Sequence, residues 1–334
     1  MPLATVLIRY WQGHASKIAS KVQAKISLAL WNEFFGDDLV SDLSIDRQEA
    51  FMVWLKAKGH KNAYVSRTMS VGRAAIRRAW QRGEITSAPF IIDERDRSDE
   101  DEPYRLSKAE MRKLLKTAQD WPHLYIFMMI SLNTLARPGA VLDLSPFQID
   151  LDSRLIDLNP HGRKRTKKGR PVVPATETIL PFVTRRDVSR FVNWHGKPIQ
   201  SIKKGFATVV KAAGLPKDVT PYSLRHTMAA ELRARGVPAW EVEGLLGHKL
   251  PGVTEKYAKF APDYLGHGAK AIDAYFTDLL NSKENFDGFN INRVPLALHT
   301  DLSPKDELIN FSMISKGKMV DPTGIEPVTP TMST

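Results

Sequence analysis

Residues 245–257 read Leu-Leu-Gly-His-Lys-Leu-Pro-Gly-Val-Thr-Glu-Lys-Tyr. A helix expected over 238–246 runs into Gly247 and His248, and Tyr257 follows nine residues later, between Lys256 and Lys259. Working outward, Thr220-Pro-Tyr222-Ser-Leu-Arg225-His226-Thr227 leads into a helix expected over 223–235. Before it, the run 161–170, His-Gly-Arg-Lys-Arg-Thr-Lys-Lys-Gly-Arg, carries six basic residues and no acid, and leads into Pro-Val-Val-Pro174. Earlier still, Thr134-Leu-Ala-Arg137-Pro-Gly-Ala140-Val-Leu-Asp-Leu144 ends an apolar helical segment in an arginine.

The segments between these stretches set the fold class. Ser107 and Glu110 form a capping box, flanked by Leu106 and Met111 at the staple positions, so a helix starts there. The uncharged run from Pro122 to Ala136 is too short to span a bilayer and reads as a buried helix. Residues 154–158 and 171–174 read as two strands around the basic turn. Further helices are expected at 201–213, 253–260 and 262–280. Residues 1–92 read as helical throughout, with Leu28, Trp31, Phe34, Phe35, Phe51, Trp54 and Leu55 at helical spacing. The segment from Tyr64 to Arg82 mixes apolar residues with Arg67, Arg73, Arg77, Arg78 and Arg82, which suits a helix packed on one side and either laid along phosphates or simply solvated on the other. The expected fold is therefore mainly α with a small β-sheet or hairpin.

Charge divides the chain. Its 334 residues carry a formal +11, yet residues 93–103, Asp-Glu-Arg-Asp-Arg-Ser-Asp-Glu-Asp-Glu-Pro, carry −5, which leaves +16 on the remainder. The excess of base predicts a polyanionic partner, nucleic acid above all. The acidic run reads as a solvated linker between a helical domain, 1–92, and a second domain, 104–280. Residues 281–334 lose the periodicity and are expected to be loosely ordered. With no cysteine, a thiolate metal site, a disulfide scaffold and a cysteine nucleophile are excluded. His226, His248 and His267 share no metal-ligand spacing, and there is no phosphate-binding glycine loop, so neither metal nor cofactor is expected. No signal pattern or membrane span is evident, and a cytoplasmic, nucleoid-associated protein is expected.

In order and spacing the four stretches resemble the tyrosine recombinase family, the phage-integrase type of site-specific DNA recombinase. The resemblance covers about 104–280, and the first ninety residues resemble the family's helical core-binding domain through Phe34-Phe-Gly-Asp37 and Ser66-Arg67-Thr68. It implies a helical core-binding domain and a mixed α/β catalytic domain forming a C-shaped clamp on duplex DNA. It also implies a homotetramer on two duplexes, protomers exchanging C-terminal helices from 262–280, and attachment-site DNA as partner, with accessory DNA-bending or directionality factors besides.

The resemblance assigns roles. Tyr257 is the nucleophile, leaving a 3′-phosphotyrosyl link. Arg137 and Arg225 clamp the non-bridging phosphate oxygens, for which permanently protonated guanidinium forks are suited. Lys167, with Lys168 and Lys164 as alternatives on the same turn, protonates the leaving 5′ oxygen. His248 donates to the phosphate or positions the tyrosine. Ser66, Arg67, Arg73, Arg77, Lys164 and Lys168 are expected to contact DNA. Two positions depart from the family pattern. Tyr222 replaces the histidine three residues before Arg225, and a phenol is a poor base at neutral pH. Ala140 stands where an acid usually follows the first arginine, so Arg137 needs another orienting partner. A type IB topoisomerase and a catalytically impaired DNA-binding relative are the rival readings.

Overall fold

The computed structural model describes residues 1–93, 98, 99, 102–163, 169–185, 187–248 and 263–281. The chain divides into two compact units, Met1–Glu102 and Pro103–Thr334, each with its own apolar core. No described helix is long and apolar enough to cross a membrane.

The first unit contains α1 (Leu3–Gly13), α2 (Lys21–Phe35), α3 (Ile45–Ala57) and α4 (Asn62–Gln81), with single 3-10 turns at Ala15–Lys17 and Val40–Asp42. The aromatic spacing seen in the sequence becomes one cluster. The ring centroids of Trp31, Phe35 and Phe51 lie 5.0–5.1 Å from one another. Trp31 is fully buried and donates from Nε1 to the Thr68 carbonyl at 2.8 Å. That bond brings the indole onto α4 at Gly72, where a Cβ would lie 2.1 Å from the ring. The packed face of α4 is Val65, Met69, Gly72, Ala75, Ile76 and Ala79, while Trp80 points to solvent.

Three expectations for this unit need correcting. Helix does not continue to residue 92. It ends at Arg82 and Gly83, which has φ +69°, and the chain then runs back as an irregular strap. Buried Gln48 holds the strap by donating to the Leu43 and Phe90 carbonyls and accepting from Ile92 N, each at 2.9 Å. The acidic run is also not wholly solvated: Asp99 accepts from Asn62 N at 2.7 Å at the start of α4, whose first turn has no acid of its own. A carboxylate is stabilised at such a helix N-terminus. Thirdly, Arg73 donates to the Ile92 carbonyl (2.6 Å) and to Asp93 (3.1 Å). It fastens the strap instead of facing outward with Arg67 and Arg77, which are exposed; Ser66 is half-buried.

The second unit opens with α5 (Lys108–Ala118), started by the Ser107–Glu110 capping box. Leu106 and Met111 are both buried. Next come α6 (Pro122–Thr134), buried almost all round, and the short α7 (Pro138–Asp143). An antiparallel sheet follows in the order β1 (Ile149–Asp150), β2 (Leu155–Asp157), β3 (Val172–Pro174). Helix α8 (Leu180–Val183) and a two-stranded ribbon, β4 (Asn193–Trp194) and β5 (Lys197–Pro198), were not expected from the sequence, being too short to show periodicity. Then come α9 (Lys203–Ala212), α10 (Pro221–Ala234), α11 (Ala239–Leu246) and α12 (Gly266–Leu280). The helix expected at 253–260 and the tail from 282 lie outside the described residues.

The resemblance implied exchange of 262–280 between protomers. In this structure α12 buries Ile272, Tyr275, Phe276 and Leu279 in its own chain's core. Its first turn is held by Glu241 of α11. That buried carboxylate accepts from Gly268 N at 2.9 Å and lies 2.7 Å from His267 Nδ1.

Because an alanine methyl at position 72 would overlap the Trp31 ring, Gly72→Ala should destabilise the first unit by about 1–3 kcal/mol. Denaturant unfolding read by tryptophan fluorescence checks this, with Ala75→Gly as the control that opens space instead of filling it.

Candidate active site

The site is assembled from helix ends. Helix α6 stops at Leu135, a left-handed residue (φ 50°) whose side chain is fully buried. The sharp turn there places Arg137 at the N-cap of α7. Helix α11 stops at Gly247, also left-handed (φ 63°), and His248 N closes that turn on the Glu243 carbonyl at 3.0 Å. Carbonyls at helix C-termini lack intrahelical donors, and Arg225 on α10 supplies two. Its Nη1 donates to Leu135 O at 2.5 Å and its Nη2 to Leu246 O at 2.7 Å. One guanidinium thus joins the C-terminal ends of α6 and α11.

The end of the basic turn comes to the same place. Arg137 Nη1 donates to the Gly169 carbonyl at 2.7 Å. Gly169 and Gly247 pass so closely that a Cβ on Gly169 would lie 2.4 Å from the Gly247 carbonyl oxygen, and one on Gly247 would lie 2.6 Å from Pro171 Cδ. Two glycines are required here by contact, and Gly247 by its positive φ as well. The result is a cleft of about 190 Å³ lined by Arg137, Arg163, Arg170, Tyr222 and Arg225, with Ala136, Gly139, Ala140, Leu158, Gly169 and Pro171 completing the wall.

Its electrostatics are one-sided. Arg225 is only 6% exposed, and among the described residues neither it nor Arg137 forms a salt bridge with a carboxylate. Burial, reinforced by repulsion from Arg137 and opposed by Tyr222, brings the Arg225 pKa down to about 10. His248 feels the same cations. Desolvation first, then Arg225 and Arg137, hold its pKa below the usual 6.5, with Glu243 pulling the other way. At neutral pH the imidazole is therefore uncharged and offers one N–H donor. A pocket with two guanidinium groups that have no carboxylate partner among the described residues favours an anion.

Of the residues singled out in the sequence, Arg137, Arg225 and Tyr222 share the cleft, and His248 lies within electrostatic reach of both arginines. Tyr222 is half-exposed in the first turn of α10, its ring 6.4 Å from that of His226. Lys164, Lys167, Lys168 and Tyr257 lie outside the described residues. Each falls in a segment whose ends are described: Arg163 and Gly169 flank the lysines, and His248 and Asp263 flank the tyrosine. Ala140 is buried in the core, and Arg137 takes the Gly169 carbonyl as its partner instead of an acid.

Two charged residues around the site escaped sequence reasoning. Arg170 was counted with the basic turn, but its pairing with Asp143 at 2.7 Å joins residues 27 apart. Glu241 stands two residues before Glu243 in a short helix, and nothing in the sequence marks it as the acid that is buried against His267 and Gly268.

In the DNA-free protein the NMR titration of His248 should have its midpoint below 6.5, and Arg137→Gln should move it upward by removing one nearby cation. A midpoint at or above the ordinary value in both proteins would contradict the geometry.

Comparison with known proteins bears on the same residues. Residues 104–263 match the model of the phage integrase family. Tyrosine recombinase XerD of Lacticaseibacillus casei is 27% identical over 223 residues, which is 61% of this chain and 74% of that protein. The fold is similar to that of the Tn1549 transposon integrase solved in complex with transposon right-end DNA. That pair has a TM-score of 0.62 and 18% identity, over 78% of this chain and 95% of the other. It is also similar to a protomer of a lambda integrase tetramer bound to a Holliday junction (TM-score 0.60, 18% identity, 77% of each chain). Residues 104–263 thus form a phage integrase family domain, and three of the four sequence stretches meet in its arginine-lined cleft.

Proposed function

We propose that this protein is a site-specific DNA recombinase that cuts and rejoins duplex DNA through a 3′-phosphotyrosyl intermediate, integrating or excising a mobile element. The observation that carries this reading is the pair Arg137 and Arg225, fixed on backbone carbonyls with no carboxylate among the described residues to neutralise them. A phosphodiester entering the cleft supplies the missing charge. As Tyr257 Oη gives up its proton to water and bonds to phosphorus, negative charge builds on the non-bridging oxygens, and donors already in place stabilise it without reorganising. The bond from phosphorus to the 5′ oxygen breaks, and Lys167 gives that oxygen its proton. Lys168 and Lys164 are the alternatives for this role. His248, uncharged, donates a hydrogen bond to the phosphate, and Tyr222 can do the same with its phenol.

The ester conserves the energy of the broken bond, so a 5′ hydroxyl from a second duplex can attack it and release Tyr257. Exchange between two duplexes requires four such sites. The similarity to a lambda integrase tetramer on a Holliday junction supports a homotetramer here. Ser66, Arg67 and Arg77 of α4, together with Lys164 and Lys168, supply contacts to the DNA backbone. Accessory DNA-bending or directionality factors are further partners.

Tyr257→Phe should bind attachment-site DNA with unchanged affinity and form no SDS-resistant adduct. An adduct in that variant would remove Tyr257 from its role, and an active native protein that relaxes plasmid without any specific site would favour the topoisomerase reading. Lys167→Ala should cleave ordinary DNA at least about a hundredfold more slowly, as expected on losing a general acid. It should recover on DNA with sulfur at the 5′ bridging position, because a thiolate leaves without a proton. Rescue of Lys168→Ala or Lys164→Ala instead would move the role to that lysine.

A further inference from the structure

We propose that Asp143 and Arg170 are positioning residues for Arg137, acting by clipping α7 to the end of the basic turn; this rests on the reading of Arg137 as a phosphate clamp. The only hydrogen bond that the Arg137 side chain makes to the described residues goes to the Gly169 carbonyl. Where its guanidinium points thus depends on where that carbonyl sits relative to α7. Arg170, the next residue, fixes that relation. Its Nη2 donates to Asp143 Oδ2 at 2.7 Å and to the Gly139 carbonyl at 3.2 Å. Gly139 lies in the first turn of α7 and Asp143 is its last residue. One guanidinium therefore spans the whole six-residue helix whose N-cap is Arg137.

Gly169 is confined on its other side as well, by the close passage of Gly247. The clip and this contact leave the carbonyl one position, and with it Arg137. Asp143 is the only acid on α7, since Ala140 is apolar and buried, so no other side chain of that helix can hold the strand by charge. Stability alone does not account for the arrangement. The Arg170 side chain is 13% exposed, and its Nη1 is buried without a partner among the described residues. A buried donor left unspent costs stability. The pair also bears on the charge of the cleft: Asp143 neutralises Arg170, which leaves Arg137, Arg163 and Arg225 as its lining cations without a carboxylate partner among the described residues.

The test uses the full-length protein with Asp143→Asn, Arg170→Gln and the conservative Asp143→Glu. Adduct formation is followed in single turnover at saturating protein on two substrates. One has an ordinary scissile phosphodiester, and the other a methylphosphonate, which lacks the charge Arg137 neutralises. On the phosphodiester, Asp143→Asn and Arg170→Gln should be slowed by about tenfold to a hundredfold, the scale for a misplaced group. Binding should be unchanged, and Asp143→Glu should recover most of the rate. On the methylphosphonate both variants should match the native protein. Equal slowing on both substrates would overturn the proposal, because general damage to the domain does not distinguish them; so would an unchanged rate on the phosphodiester.

A second measurement does not depend on activity. The Arg137 side-chain Nε–H signal, by NMR relaxation, should be rigid in the native protein and mobile in Asp143→Asn. Unaltered rigidity overturns the proposal even if the native chain forms no adduct, an outcome that would count against the recombinase reading alone.

Discussion

Two peptide units, at Gly169 and Gly247, pass closer than any side chain would allow, and the site is built around that contact. One belongs to the end of the basic turn and the other to the end of α11. Their approach puts the carbonyl that receives Arg137 beside the turn that presents His248. Arg225 closes the group from behind by tying the ends of α6 and α11 together. Four sequence stretches spread over more than a hundred residues thus meet through backbone groups, which are the most rigidly placed donors and acceptors a protein has. A methyl group on either glycine would push the strand off the helix end and loosen both arginines together.

Backbone anchoring also explains the charge of the cleft. An arginine held by a carboxylate is spent, whereas one held by a carbonyl is oriented and remains a full positive charge. Arg73 and Arg170 show the first case, each paired with an aspartate, and Arg137 and Arg225 the second. The cost falls on Arg225 and His248, whose proton affinities are lowered by burial and mutual repulsion. Binding a phosphate relieves that cost. The free protein is therefore electrostatically poised for an anion, and the same residues become more comfortable as negative charge grows on it.

Much of this was legible in the sequence. The Ser107–Glu110 capping box, the buried run Pro122–Thr134, the strands around 155–157 and 172–174, and the later helices carry local signals strong enough to read: a cap, uniform hydrophobicity, alternation, glycine stops. Arg137 and Arg225, which share the cleft, and His248 beside them stood out by order and spacing. What escaped was long-range. Gln48 looks like an ordinary helix-surface residue until it is seen holding the strap at Phe90 and Ile92. Arg73 is indistinguishable from Arg67 and Arg77 by spacing, yet the returning strap claims it. Asp143 and Arg170 have no local relation at all. Periodicity reports which face of an element is buried; it carries no information about which charged group meets it from elsewhere in the chain.

The central claim is that the arginine cleft presents one phosphodiester to Tyr257. The most direct measurement is to trap the native protein on a nicked attachment-site substrate, digest the adduct with trypsin and identify the nucleotide-bearing peptide by mass spectrometry. The account predicts a peptide containing Tyr257, linked through its phenolic oxygen to a 3′ phosphate. A DNA-linked peptide from any other part of the chain, or a link to a 5′ phosphate, would contradict it.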